Sequence, residues 1–431
     1  MSSVALNSVS IPVISRRKLI VPGIVGNILE WYDFSLYGYF APIISVLFFP
    51  TSNQFLSLLA TFGVFAIGFL MRPLGGILFG YFGDRVGRKK TLATAVILMA
   101  IPTTLIGLLP TYEQIGISAG VLLTICRLLQ GLAVGGEFSG SIVYILEHAP
   151  THRRGLYGSW AMFSAFAGLL LGSGVAAITG FLPDNLLNTW GWRIPFLLGI
   201  VLGGIGLYLR LLMPETPNFV AAQQKRQLVH NPIKHAFKTA CLPMFMSIGL
   251  VFLPAMGFYL LFVYLSSYMT TFLHIPLRTA LSINSLSMLG IILIMPWMGL
   301  LSDKIGRKKI LYLGAIGFIT FSCPLFLLLQ QATFMAVLCA QFCFAILVCF
   351  AYAAIPATLV ELFNTNVRYT AMSFPYNLSN ALFGGTAPLV ATFLIGMTGN
   401  QLAPSFYLIF AGFIMLIFVY LLKESYQQSL D

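Results

Sequence analysis

Residues 19–49 read LIVPGIVGNILEWYDFSLYGYFAPIISVLFF, and the two acids in that run govern how the chain must be read. The run follows Arg16-Arg17-Lys18. As a helix it is long enough to cross a bilayer core of roughly 30 Å. At about 1.5 Å per residue from Leu19, Glu30 lies about 16 Å in and Asp33 about 21 Å in. An acid at that depth costs about 2.5–3.5 kcal/mol on insertion scales, so such groups usually face a polar cavity and handle protons, ions or solute. Glu30, Asp33 and Tyr37 stand at i, i+3 and i+7 and share one helix face. Snorkelling or helix capping is the competing reading; neither acid lies near a helix end. The pattern points to a protonatable site inside a membrane.

Composition extends this to the whole chain. Of 431 residues, 58% are hydrophobic and only 8% charged, the signature of a polytopic helical membrane protein. The net charge of +12 does not mark a nucleic-acid surface, because 19 of the 24 Lys and Arg fall in alternate connections and the tails. By the positive-inside rule that side, with both termini, is cytoplasmic. The first 15 residues carry no charge and the apolar run after them is too long for a cleavable leader, so an uncleaved first helix is expected. The six cysteines fit no metal or disulfide spacing, and no metal or cofactor is expected. No nucleophile–base pair or phosphate loop suggests an enzyme.

Apolar runs of spanning length fall at about 19–48, 56–81, 91–110, 115–147, 156–182 and 193–213, then at 244–273, 279–301, 310–330, 335–363, 370–397 and 403–422. The expected fold is all-α: twelve transmembrane helices in two pseudo-symmetric bundles of six. Residues 1–213 and 244–431 form the halves, and 214–243 a cytoplasmic linker. The halves repeat. DRVGRKK at 84–90 returns as DKIGRKK at 303–309, and the pair Glu147–Arg154 returns as Glu361–Arg368 at nearly the same offset. In the first motif Gly87 and Gly306 permit a tight turn. Asp84 and Asp303 can cap a neighbouring helix or pair with an Arg across the two halves. The basic clusters that include Arg88 and Arg307 hold the loops at an anionic leaflet.

On the fourth run, RLLQGLAVGGE begins at Arg127, about 18 Å from the external end of its helix. A lone Arg is costly there, so a network of Arg127 with Glu30 and Asp33 is expected, with Glu137 a second station nearer the cytoplasm. A purely structural ion pair is the alternative.

The repeated D-x-x-G-R-K-K motif and the R-x-x-Q-G motif resemble the major facilitator superfamily. GNILEWYDFSLYGYFAP, GFLMRPLGG, RRGLYGSW, WGWRIPF, LRLLMPETPNF and ELFNTNVRYTAMSFPYNLS resemble its metabolite–proton symporters over nearly the whole chain. GLLPTYEQIGI, SWAMFSAFAGLLLGSG and IPATLVELFNTNVRYTAMSFPYN are most similar to the proline/betaine branch. The resemblance implies alternating access in a cell inner membrane. It makes Asp84, Gly87, Arg88, Glu147, Arg154, Asp303, Gly306, Arg307, Glu361 and Arg368 gating rather than binding residues. Osmosensing members end in a long coiled coil; eight residues without heptads follow Lys423 here, so osmotic activation is not part of the expectation.

The candidate solute contacts are Tyr37, Arg127, Trp160, Phe163, Tyr259, Tyr264, Tyr352, Tyr376, Asn377 and Asn380. A carboxylate suits Arg127, and an ammonium suits aromatic faces. Arg127 is taken as the only cation well inside the membrane, which favours a zwitterion with one carboxylate over a di- or tricarboxylate. Each aromatic residue is also open to a packing role. The expected partners are a small solute, protons and the lipid bilayer; no nucleic acid is expected, and the chain is expected to act as a monomer. The alternatives are a proton symporter of an organic acid (2-oxoglutarate, shikimate or citrate) and a transporter-like solute sensor.

Overall fold

Lipid offers no hydrogen bonds, so each apolar run closes its backbone bonds within itself as a helix. The computed structural model describes residues 16–86, 88–147, 149–212, 237–363, 368–426 and 428; at 16–23, 80, 81, 83–86, 88, 137, 144, 147, 184, 369 and 370 the description stops at the backbone. Among the described residues, eleven helices are long and apolar enough to span a membrane. Most of the linker expected at 214–243 lies outside the described residues.

The first helices are α1 (Arg16–Tyr39), α2 (Ala41–Phe48), α3 (Gln54–Leu70), α4 (Arg72–Val86), α5 (Arg88–Leu108), α6 (Ile117–Glu147), α7 (Arg154–Thr179) and α8 (Arg193–Leu212). The second set is α9 (Cys241–Tyr259), α10 (Leu265–Phe272), α11 (Leu277–Ile305), α12 (Arg307–Leu329), α13 (Phe334–Tyr352), α14 (Ile355–Glu361), α15 (Arg368–Ser379), α16 (Ala387–Thr398) and α17 (Ala403–Leu421). The single helix expected at 19–48 is instead α1 and α2, interrupted at Phe40 with Pro42 in the first turn of α2. Proline has no N–H to continue a ladder and is pre-set for a helix start. α3 and α4 likewise meet at Met71, just ahead of Pro73.

Two wide π turns interrupt the second set, at Leu260–Tyr264 between α9 and α10 and at Asn380–Gly385 between α15 and α16. Such turns re-aim side chains and recur at functional sites. The first touches α1 and the second α3, so both lie where the two sets meet. The most extensive contact across the sets is α7 against α11. Large apolar side chains such as Leu74, Ile101, Ile200, Leu293, Trp297 and Phe413 stay exposed on the outer faces, as lipid contact allows.

Small residues bring the helices of the first set close. A Cβ at Gly131 of α6 would overlap the carbonyl oxygen of Gly68 on α3, and one at Gly135 would overlap that of Arg72 on α4. This contact positions Arg72 and Arg127 beside each other's helices. Gly131→Val should therefore destabilise the protein by about 3 kcal/mol or more through overpacking. Gly63→Ala is the matched control, since a Cβ there meets nothing within 4 Å. Thermal unfolding in detergent checks this; equal stability of the two variants would refute the close-packing account.

Candidate functional site

Helix α1 presents two chemistries on two faces. Glu30 and Asp33 are buried and line a small cavity with Gly26, Leu29, Ala95, Val96, Met99, Ala133, Gly203 and Gly206, all from the first set. Asp33 Oδ1 has no hydrogen-bond partner among the described residues. It sits 3.2 Å from where a Cβ of Gly199 would be, and Thr103 Cγ2 sits 2.8 Å from the same point. On the other face Trp31 and Phe34 join rings from both sets. Trp31 lies 5.0 Å from Phe258, 5.8 Å from Phe138 and 6.3 Å from Tyr259, centroid to centroid. Phe34 packs edge-on to Phe69 at 4.6 Å.

Arg127 differs from its expected pairing. Its guanidinium lies over Phe34 and Tyr37, 4.6 Å from each centroid, and over Phe65 at 5.2 Å. Its Nη1 donates to Gln130 Oε1 at 2.6 Å. No ion pair joins it to Glu30 or Asp33 among the described residues. The link to Asp33 is indirect. Gln130 Nε2 donates to Thr103 Oγ1 at 2.8 Å, and Thr103 shares the Gly199 contact with Asp33. The physical reason is register: Arg127 faces the α1–α3 seam, where ring faces attract a cation, while Asp33 faces α5 and α8. The Glu137 side chain lies outside the described residues.

Arg127 is not the only cation buried within the protein. Arg72 and Arg210 are also fully buried. Arg210 rests against Gly26 of α1, its Nη2 2.8 Å from where a Cβ would stand. Arg72 Nη1 donates to Tyr259 Oη at 3.0 Å and Nε to Asn377 Oδ1 at 3.3 Å. It also lies over Phe69 and Trp31 at 5.5 and 5.9 Å. The available signal was one arginine inside the otherwise uncharged run 54–79.

Other candidates separate into central and peripheral groups. Asn377 Nδ2 donates to the Gly135 carbonyl across the sets at 2.7 Å, and Tyr376 stacks on Phe138 at 5.3 Å. Tyr352 packs near Phe166 and Phe258. Asn380 donates to the carbonyl of Tyr376 at 2.9 Å. Tyr37 donates to the Thr61 carbonyl at 2.9 Å, and Tyr264 packs on Phe62. Trp160 and Phe163 are half-buried and pack edge-to-face on each other, with no ring contact to the central cluster among the described residues. Phe166, on the same helix, takes that place instead, against Phe258 and Phe262.

At the end bearing the basic loops a second network joins the two sets. Asp303 Oδ1 and Oδ2 accept from the backbone N–H of Gly155 and Leu156 at 2.8 and 2.9 Å, capping α7 from the opposite set. Arg307 pairs with Asp303 at 2.8 Å and with Glu361 at 3.1 Å, and Arg154 reaches Glu361 at 3.4 Å. All four side chains are buried. Gly306 has φ 101°, a conformation costly for other residues, and a Cβ there would meet the Glu424 carboxylate at 2.6 Å. Arg368 Nε donates to the carbonyls of Val360 and Phe363. Residues beyond α17, not anticipated from sequence, complete the network. Glu424 accepts from the N–H of Arg307 and Lys308 at the start of α12, Ser425 donates to Glu361, and Arg154 donates to the Gln428 carbonyl. The side chains of Asp84, Arg88 and Glu147, and Gly87 as a whole, lie outside the described residues.

A family model for the Major Facilitator Superfamily matches residues 23–379 and 250–430. The chain belongs to the major facilitator superfamily. The Proline/betaine transporter of Escherichia coli (strain K12) is 35% identical over 426 residues, covering 96% of this chain and 85% of that one. The Putative proline/betaine transporter of Staphylococcus aureus (strain COL) is 37% identical, covering 95% and 91%. The glycine betaine/proline/ectoine/pipecolic acid transporter of Dickeya dadantii (strain 3937) is 35% identical over 442 residues, covering 99% and 87%. Among solved structures, a D-xylose–proton symporter superposes with TM-score 0.74 at 20% identity, over 95% of this chain and 99% of that one, which establishes the shared fold. This superfamily member is thus a multi-pass transporter of the cell inner membrane, not an enzyme.

Proposed function

We propose that the chain carries a small zwitterion, proline or betaine, into the cell together with protons, by alternating access between its two halves. The observation that carries this reading is the two-faced α1. It bears a buried acid pair on a cavity of the first set and aromatic rings on the junction with the second. Asp33, with Glu30 beside it, takes the proton. Arg127, Gln130 and Thr103 connect that site to the ring cluster, so a change at the solute is felt at the acid. Arginine suits a carboxylate and ring faces suit a quaternary or secondary ammonium. The relatives named for proline and betaine support the solute class.

Residues 1–213 and 244–431 are the two halves, α1 with α2 is the twelfth crossing, 214–243 is a cytoplasmic linker, and the transporter works as a monomer. The basic end is cytoplasmic, and the Asp303–Arg307–Glu361–Arg154 network holds it shut.

Uptake of labelled proline and betaine into proteoliposomes tests this. With an inward proton gradient both should accumulate, and a protonophore should collapse the accumulation. No uptake of either by folded protein would overturn the zwitterion assignment. An organic acid is the second reading, and one observation favours it. With Arg72 buried as well as Arg127, two guanidinium groups are available to a dicarboxylate.

A further inference from the structure

Among the described residues, Arg72 is buried without an ion-pair partner. Its partners are all neutral: the Tyr259 hydroxyl, the Asn377 amide oxygen and the faces of Phe69 and Trp31. Its Nη2 makes no hydrogen bond, and no carboxylate lies within ion-pair distance of it, among the described residues. A buried cation with no direct ion-pair partner is unfavourable, and an arriving anion offsets that cost. The position matters as much as the charge. Every contact given above for Arg127 comes from the first set. Those of Arg72 come from both: Phe69 and Trp31 from the first, Tyr259 and Asn377 from the second. Asn377 in turn ties back to the Gly135 carbonyl. A solute that drives alternating access must be felt by both halves at once, and a ligand on Arg72 meets that condition.

We propose that Arg72, not Arg127, receives the carboxylate of the transported solute, with Tyr259 and Asn377 orienting its guanidinium. This rests on the preceding reading only in that the solute bears a carboxylate, which proline, betaine and the organic acids share. Arg72 thereby sets specificity: it admits a carboxylate and rejects the matching alcohol. The ammonium end of a zwitterion falls against Trp31 and Phe69, whose rings already attract a cation. Arg127 is left to the chain of contacts toward Asp33.

The test is equilibrium binding to the purified full-length chain without a proton gradient, which separates binding from coupling. Labelled betaine is compared with choline, which keeps the trimethylammonium and replaces the carboxylate by an alcohol. Wild type should prefer betaine. Arg72→Gln should weaken betaine on the order of 10–100-fold, the effect of losing charge-assisted hydrogen bonds, and leave choline within about twofold. Tyr259→Phe should weaken betaine by about tenfold and spare choline. Arg72→Lys keeps the charge and is the variant to use if Arg72→Gln does not fold; it should lose part of the preference. If Arg72 is only a strut between the halves, betaine and choline weaken together, and that result overturns the proposal, as does an unchanged preference. If wild type binds neither but binds 2-oxoglutarate or shikimate, the zwitterion reading fails. The subsite then stands if Arg72→Gln abolishes that binding and falls if it does not. Binding of no carboxylate compound at all would sink both.

Discussion

Asp33→Asn should reduce solute accumulation to equilibration while leaving exchange of internal for external solute intact. The substitution is nearly isosteric, so the packing around Gly199 and Thr103 is kept. It removes the one property coupling needs, since an amide holds its charge state fixed through the cycle. Asp33 is 3% exposed, and its Oδ1 has no competing hydrogen bond among the described residues. The group is thus placed to change protonation without breaking a structural contact. With one proton per solute, an inward gradient of one pH unit sustains about a tenfold accumulation, equivalent to about 1.4 kcal/mol. The variant should lose all of it. Accumulation ratios in proteoliposomes, measured beside counterflow exchange, decide the matter. Full accumulation by Asp33→Asn would remove Asp33 from the coupling step and turn attention to Glu30. Loss of both accumulation and exchange would mean that the carboxylate is needed to build the site rather than to carry a proton.

Glu361→Gln should open the basic end. The wild-type carboxylate holds Arg154 of one set and Arg307 of the other, and accepts from Ser425. All three charged side chains are at most 3% exposed. After the change Arg307 keeps Asp303, but Arg154 retains only the Gln428 carbonyl among these contacts. Removing one partner of a buried ion pair typically costs about 3–5 kcal/mol, because the remaining charge is left in a poor solvent. That cost falls on the closed state alone, since opening lets water reach Arg154. The equilibrium should shift by about a hundredfold to a few thousandfold toward the open state. Ser159 faces Gly299 across the closed seam and is fully buried, so it is a sensitive reporter. In a background without the six native cysteines, labelling of Ser159→Cys by a membrane-impermeant maleimide from the basic side should rise at least tenfold when Glu361→Gln is added. Unchanged labelling in a folded protein would show that this network does not control access.

Much of this molecule is legible in its sequence because a bilayer is a demanding solvent. Spanning runs must be long, apolar and helical, so the ends of the spans agree with the helices to within a few residues for most of the chain. Glu30 and Asp33 stand out in such a background because an acid there needs a reason. The duplicated DRVGRKK and DKIGRKK motifs by themselves point to the superfamily. Even the contact Asp303 makes, capping a helix of the opposite set, is among the options its position allowed.

What the tertiary structure alone decided is which side chain meets which. Depth places Arg127 level with Asp33, but depth says nothing about azimuth. The rotation of α6 turns Arg127 toward Phe34, Tyr37 and Phe65 and leaves Asp33 with α5 and α8. Arg72 reads as one arginine inside an apolar run; only the close approach of α3 and α4 to α6 through Gly131 and Gly135, and of Tyr259 and Asn377 from the second set, makes it a buried cation at the junction. Phe166 rather than Trp160 or Phe163 reaches the centre for the same reason: a few residues along a helix turn a side chain to a different neighbour. Glu424 is one of two acids beyond the last span until the fold brings it to the start of α12. Hydropathy is a property of one segment against lipid. Partner choice is a property of two segments far apart in the chain, and it exists only once they have packed.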